Sequence, residues 1–284
     1  MKNWRKNLAW YFLSALALGA VVVWSAVFHL GRSTLTVSFF DVGQGDAIFI
    51  EAPNGNQMLI DGGPDKKVLR ELADVMSFWD RSIDMIVLTH PHQDHVAGLV
   101  DVLRRFDVDY AVESGARHTI AEYDAFERAV ADEKAEHIFA RRGMRIWLSG
   151  DVYLDVLEPK EFLGDGNPNE TMVVVRLVYG KTSALLTGDL TEKGEARLLG
   201  SGVVLDSDIL KVPHHGSKYS STNAFLRAVT PEAAIVSAGA KNRYGHPTRE
   251  ALGRLAASAA EIFRTDTDGT VIFESDGERW YQRK

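Results

Sequence analysis

The sequence predicts an α/β fold behind a single membrane-spanning helix, and three observations carry that prediction. Short apolar runs bounded by Gly, Pro and Asn clusters alternate with stretches whose apolar residues recur at helical spacing. An uncharged run of 23 residues, 8–30, precedes them. The 284 residues are 45% hydrophobic, 25% charged and 10% aromatic, which excludes a collagenous, low-complexity or disordered chain and is enough to bury a full core.

The apolar run comes first. At 1.5 Å per residue it extends roughly 34 Å, the thickness of a bilayer core. Trp4, Trp10, Tyr11, Trp24 and Phe28 gather toward its two ends, as interfacial aromatics do. Lys2, Arg5 and Lys6 precede the run and Arg32 follows it, so the positive-inside rule places the amino terminus in the cytoplasm and residues 33–284 outside the cell membrane. The run is longer than the apolar core of a cleaved signal peptide, about 7 to 15 residues, and no small-x-small cleavage site follows it. Residues 1–32 are therefore read as an uncleaved anchor, with the span at 8–30.

From residue 35 the texture changes. Residues 35–40, 47–51, 57–60 and 83–89 read as strands, and 65–78, 96–106 and 122–133 as helices. A second series follows, with strands at 171–179, 183–187, 209–212 and 233–237 and helices at 191–199, 222–228 and 248–260. Residues 270–274 and 280–282 read as a closing hairpin. No linker-like stretch interrupts 33–284, which predicts one domain with two β-rich halves.

Charge and composition narrow the chemistry. Residues 33–284 carry 28 basic against 39 acidic side chains, a net charge of −11, which disfavours a broad, sequence-independent grip on nucleic acid and leaves room for a local basic groove. There is no cysteine, so disulfides, thiolate zinc sites, iron–sulfur clusters and a thiol nucleophile are excluded. Any metal is left to His, Asp and Glu.

Those residues concentrate where strands end. The apolar run Met85-Ile86-Val87-Leu88 leads straight into Thr89-His90-Pro91-His92-Gln93-Asp94-His95, and a loop there can aim three imidazoles and a carboxylate into one small volume. Such a pattern arises by accident on the order of once in 1000 chains of this composition. Asp61 follows Leu59-Ile60, Asp189 follows Leu185-Leu186-Thr187-Gly188, His214 and His215 follow Val212-Pro213, and His246 lies in Tyr244-Gly245-His246-Pro247. Asp189 alone reads equally well as a cap for the helix that begins near Thr191. Six of the nine histidines sit at such ends, whereas His29, His118 and His137 read as membrane-edge or surface residues.

Taken together, Asp41-x-Gly-Gln-Gly-Asp46, Asp61-Gly62-Gly63, the His90 to His95 cluster, Thr187-Gly188-Asp189 and Val212-Pro213-His214-His215-Gly216-Ser217 resemble the metallo-β-lactamase superfamily. Within it they resemble the hydrolase domain of the ComEC competence proteins, over residues 35–282. The resemblance implies an αββα sandwich of two mixed sheets flanked by helices, with two divalent ions, zinc or manganese, at one edge. His90 and His92 would hold the first ion, Asp94 and His95 the second, and Asp189 would bridge both. His215 would complete the second site with His214 beside it as a substrate contact, although the two could exchange roles. Asp61 would orient a ligand histidine.

The superfamily's usual third histidine for the first ion is absent, and Asn167-Pro168-Asn169 stands in its place. The implied function is that of a membrane-anchored, two-metal hydrolase in which an activated water attacks a phosphodiester, DNA among the possibilities. Asp94, Asp189 and His246 are the expected catalytic residues, His246 as general acid or phosphate donor. His214, Ser217, Lys218 and His246 would contact substrate, with Lys211 and Tyr219 as further donors. A smaller envelope phosphodiester such as a phosphocholine ester, or a non-catalytic metal-binding scaffold, are the alternatives. With one membrane span rather than a polytopic channel, the chain is not expected to import DNA through a pore of its own.

Overall fold

The computed structural model describes residues 2–30, 34–161 and 170–283, with side chains from residue 7 to 25 in the first helix. Asn167-Pro168-Asn169, Arg32 and the side chains of Lys2, Trp4, Arg5, Lys6, Phe28 and His29 lie outside that description. Helix α1, Lys2–Leu30, contains the apolar stretch Asn7–Ser25 with mean hydropathy 1.8, none of it covered by the rest of the chain. By length and composition it is long enough to cross a membrane.

Two mixed sheets form the body. The first contains β1 Leu35–Phe39, β2 Ile48–Glu51, β3 Gln57–Ile60, β4 Ser82–Leu88, β5 Asp107–Glu113 and β6 Glu136–Phe139, laid side by side in that order. The second contains β7 Arg145–Trp147, β8 Val152–Glu158, β9 Val174–Tyr179, β10 Thr182–Leu186, β11 Ile209–Lys211, β12 Ala233–Val236 and β13 Glu261–Arg264, again in sequence order. The closing hairpin, β14 Val271–Ser275 and β15 Trp280–Arg283, does not extend the second half. It returns to the first sheet, where β14 pairs antiparallel with β1.

Alternation explains the layering. Leu35, Val37 and Phe39 of β1 and Val152, Leu154 and Val156 of β8 face one another across the two sheets in a single buried core. The other face of the first sheet is covered by α2 Val68–Val75, α3 Gln93–Leu103 and α4 Ala121–Glu133 around Leu72, Leu99 and Phe126. The other face of the second sheet packs around Leu198, Phe225 and Leu255 from α5 Glu192–Leu199, α6 Asn223–Val229 and α7 Arg249–Ala257, and α8, Thr265–Asp268, follows β13. The result is the αββα sandwich that the resemblance implies.

Several boundaries differ from the sequence expectation for local reasons. Helix α2 is shorter than 65–78, because the Asp65 carboxylate holds a turn by accepting the Lys67 N–H at 2.7 Å and the chain is already extended at Met76. Helix α3 starts three residues earlier than 96, so Asp94 and His95 lie in its first turn and only His90 to His92 in the loop. Strands β5 to β8 and β13 were not expected. In β5 and β8 the acidic residues Asp107, Asp109 and Asp155 break up the apolar run, and β6 and β7 are short sheet edges with polar or exposed faces.

One close contact seats the chemistry. The Gly62 N–H donates to the His95 carbonyl at 2.7 Å, and the Gly98 N–H to the Gly63 carbonyl at 3.0 Å. A Cβ on Gly98 would lie 1.9 Å from the Gly62 oxygen, so only glycine lets the start of α3 approach the turn after β3. Strands β3, β4 and β5 are parallel, as are β10 to β13, and the site is assembled beyond their carboxyl ends.

Candidate metal centre

Asp61 is the buried root of the site. Its backbone is left-handed (φ 58), an unusual conformation for a residue other than glycine, and its side chain is 1% exposed. One carboxylate oxygen accepts the Thr89 N–H at 2.8 Å, and the other lies 2.7 Å from both the Thr89 hydroxyl and His95 Nδ1. Burial pushes the Asp61 carboxyl up, against the opposing pull of His95. Because Nδ1 is taken, His95 presents Nε2 to the interior.

The same logic orients the other rings. His90 Nδ1 lies 3.1 Å from the Thr89 hydroxyl, and His215 Nδ1 lies 2.9 Å from the Ser237 carbonyl, so both turn Nε2 inward. His92 reverses the pattern and brings Nδ1 to 3.0 Å from His90 Nε2. His214 and His215 reach the centre from a strained turn, with φ of 51 and 54 followed by Gly216 at 79. Strain of this kind costs on the order of 1 to 3 kcal/mol per residue and gathers where chemistry needs a fixed direction.

Asp189 lies between two groups of ligand atoms. Its Oδ1 is 3.2 Å from His215 Nε2 and 3.4 Å from His95 Nε2, while Asp94 Oδ2 is 3.4 Å from His215 Nε2. Its Oδ2 faces the other way, 3.7 Å from His90 Nε2 and 3.7 Å from His214 Nε2. His90, His92 and Asp189 therefore form one possible cation site, and Asp94, His95 and His215 a second. Asp189 does not cap α5, whose capping position is Thr191.

These residues fit divalent ions by a direct criterion. His95 Nε2, His215 Nε2 and Asp189 Oδ1 are buried and converge within 3.4 Å without a hydrogen bond of good geometry between them, a donor set that a shared cation would satisfy. Burial pulls the His215 ring down, but the carboxylates of Asp189 and Asp46 outweigh it and push it up to about 10. His95 is raised in the same way, with Asp189 and Asp61 overcoming burial. The neighbouring carboxylates thus favour a second proton on both rings in the absence of a cation, and ligation displaces it. Metal affinity is therefore expected to rise with pH between 6 and 9 by about tenfold per unit for each proton released. Calorimetric zinc titration in buffers of different ionisation enthalpy checks this, and a pH-independent affinity with no proton release would contradict it.

Other sequence expectations land differently. Lys211 is fully buried and its ammonium lies 2.8 Å from Asp46 Oδ2, so it supports the centre from beneath and does not reach substrate. Ser217 is buried, with its hydroxyl accepting the Tyr219 N–H at 3.3 Å, and the Lys218 ammonium lies over the Tyr219 ring. His246 reaches the rim, its ring centroid 5.7 Å from that of His214. Burial and the two neighbouring histidines push it down to about 4, so it is neutral at physiological pH.

His118 is not a detached surface residue. Its ring centroid is 5.6 Å from that of His92, with Nδ1 buried, and it lines a 530 Å³ cleft with Gln44, Gln93, Asp94, Arg243 and Tyr244. Nor is His137 free, since its Nε2 lies 3.0 Å from Glu113 Oε1. The sequence singled out neither Thr89, Asp46 nor Arg243 for a role. Asp46 stood inside a quoted motif and Thr89 beside His90, while Arg243 carries no sequence signal.

Comparison with known proteins settles the family. The model described as "Metallo-beta-lactamase superfamily" matches residues 40–240. The chain belongs to this superfamily. Among solved structures, the fold resembles Igni18, a metallo hydrolase from the archaeon Ignicoccus hospitalis, with TM-score 0.53 and 16% identity over 84% of this chain and 98% of that one. It also resembles the metallo-beta-lactamase fold protein YhfI from Bacillus subtilis, with TM-score 0.54 and 10% identity over 83% of this chain and 98% of that one. At such identities the likeness concerns the fold alone.

The curated relatives are more similar in sequence. ComE operon protein 3 of Bacillus subtilis is 30% identical over 84% of this chain and 32% of its own length. Competence protein ComA of Neisseria gonorrhoeae is 31% identical over 84% of this chain and 32% of its own. The metallo-beta-lactamase chain described here thus spans about a third of the length of the curated relatives it matches, and it is related to the ComEC competence proteins.

Proposed function

We propose that this chain is a membrane-anchored, two-metal phosphodiesterase whose favoured substrate is a DNA strand. The observation that carries the reading is Asp189, whose two oxygens face two separate sets of imidazole and carboxylate ligands. His90, His92 and Asp189 would hold the first ion, with His214 on the same side of Asp189 supplementing a site that lacks the usual third histidine. Asp94, His95, His215 and Asp189 would hold the second. When bound, zinc or manganese supplies Lewis-acid activation of water and of a phosphoryl oxygen. Asp61 and the Ser237 carbonyl fix which nitrogen His95 and His215 present, and Thr89 does so for His90. His246, neutral at the rim, donates a hydrogen bond to a phosphate or leaving oxygen without carrying a charge.

Arg243 and Tyr244 favour a polynucleotide over a small ester. The guanidinium lies 4.9 Å from the Tyr244 ring centroid, and both residues line the cleft that holds His92 and Asp94. A cation beside an exposed ring suits a phosphate next to a stacked base. The competence names of the relatives agree with DNA as substrate. The apolar α1, with basic residues weighted to its amino-terminal side, supports an anchor with the hydrolase domain, residues 33–284, outside the cell. Protease added to spheroplasts should then remove that domain and spare the amino terminus.

The function is tested by offering the detergent-purified full chain single-stranded DNA, a small chromogenic phosphodiester and a β-lactam, with zinc or manganese across a salt titration. Metal-dependent DNA cleavage that falls steeply with salt is expected. Turnover of the small ester without DNA cleavage would move the assignment to an envelope phosphodiesterase. Lactam hydrolysis alone would refute it, and metal binding without any turnover would leave a scaffold.

A further inference from the structure

The end of the sandwich remote from the metal centre carries a feature that hydrolysis does not use. Phe78 and Trp79, between α2 and β4, are 80% and 63% exposed and meet edge to face at 4.7 Å. Beside them a 390 Å³ cleft has an apolar floor that includes Leu72, Met76 and Phe106. Its walls carry Lys66, Arg70, Arg81 and Arg105 against one carboxylate, Asp80, which is occupied by the Gln57 amide at 2.8 Å and the Ser82 hydroxyl at 3.1 Å. Adjacent aromatics beside a cationic, apolar-floored cleft have the chemistry of a membrane-interface contact.

Strand directions say which surface this end meets. β1 and β2 are antiparallel, as are β2 and β3, whereas β3, β4 and β5 are parallel. Leu35, Ser82 and Asp107 therefore share one end of the first sheet, and Phe39, Ile60 and Leu88 share the end that holds the ligands. The seven residues of β4 separate the two ends by about 23 Å. Leu30 closes α1 and Leu35 opens β1, so the connection reaches at most about 18 Å. The anchor and the aromatic tip consequently belong to the same end.

We propose that this cleft and the Phe78–Trp79 tip dock on the anionic phospholipid head groups of the leaflet that α1 enters, holding the metal centre away from the bilayer. The proposal rests on the reading of α1 as an anchor. The cations meet lipid phosphates, the two rings enter the interface, and substrate reaches the ligand end from the aqueous side.

The absence of cysteine allows a direct test on the full chain in lipid nanodiscs. Single variants Leu16→Cys, Ser77→Cys and Lys241→Cys each accept one environment-sensitive fluorophore. With phosphatidylglycerol present, the labels at 16 and 77 should be quenched by nitroxide-bearing lipid and the label at 241, near the cleft that holds Arg243, should not. Adding Arg81→Glu and Arg105→Glu to Ser77→Cys should lower the docked population on the order of tenfold with an unchanged melting temperature. Adding Phe78→Ser and Trp79→Ser should abolish the quenching. A label at 77 that stays in water while the label at 16 is in lipid would overturn docking and leave the anchor intact. Equal quenching at 77 in pure phosphatidylcholine would also overturn it, because the cations would then have no role. A label at 16 in water would remove the anchor and the proposal with it.

Discussion

Replacing Asp189 by Asn is expected to strip the chain of bound metal and of turnover together. The side chain is 3% exposed, and its carboxyl is held well below the usual range because the His215 and His95 charges overcome the effect of burial. Asparagine keeps the shape and loses the charge, so under the proposed two-ion reading one oxygen dipole would be left where a shared anion is needed. The buried imidazoles lose their counter-charge as well. On the same reading, loss of the carboxylate removes several kcal/mol of transition-state stabilisation, which corresponds to a fall in turnover of about 10³-fold or more. Metal per chain by elemental analysis and hydrolysis of the best substrate are the two readouts. Full metal content in the variant would sink the bridging role, whatever the activity.

Lys211→Met should produce the largest loss of stability. Lys211 and Asp46 are 0% and 1% exposed with 2.8 Å between their charged atoms, and Asp46 Oδ1 also lies 3.3 Å from His215 Nδ1. Methionine fills the space of the lysine stem and removes the nearest counter-charge of a buried carboxylate, leaving it only His215, a change that costs about 3 kcal/mol. Asp46→Asn in the same chain should recover part of that loss, because no charge is then left alone. Burial acts to raise the Asp46 carboxyl, yet Lys211 and His215 hold it low. A depressed carboxyl stabilises the fold above its unfolded pKa, and the contribution vanishes as pH falls through the folded value. The deficit of the methionine variant should accordingly be greatest near neutrality. Urea denaturation in micelles measures it, and a loss under about 1 kcal/mol would show that the pair is dispensable.

Much of this architecture was legible because it is periodic. Runs such as Leu35-x-Val37-x-Phe39 announce both strand and buried face, and the parallel strands end in the residues that carry the chemistry. The His90 to His95 cluster was legible for the same reason, since an apolar strand running into a polar cluster fixes where the side chains emerge. What escaped depends on distance in sequence. Lys211 looked like a phosphate donor until the fold closed it against Asp46, 165 positions earlier, and a lysine in an apolar strand gives no local sign of its partner. His118 and Arg243 come from loops more than 100 residues apart and meet only because two sheets converge at one edge. Edge strands β6 and β7 were missed because edges need little hydrophobicity. A return such as that of β14 to β1 is set by the whole sandwich.

That return governs the order in which the body can be completed. β1 is the first described strand after α1, yet one of its two ladders waits for Val271–Ser275, more than 230 residues later. Until then Leu35–Phe39 presents an open row of amide donors and carbonyl acceptors, the sort of edge that recruits a strand from a neighbouring chain. On the proposed reading of α1 as an anchor, nascent molecules gather in two dimensions, where such encounters are frequent. Synthesis of the last hairpin is therefore the event that seals the first sheet, and slow closure of so distant a pairing makes the interval before it the chain's most vulnerable stage.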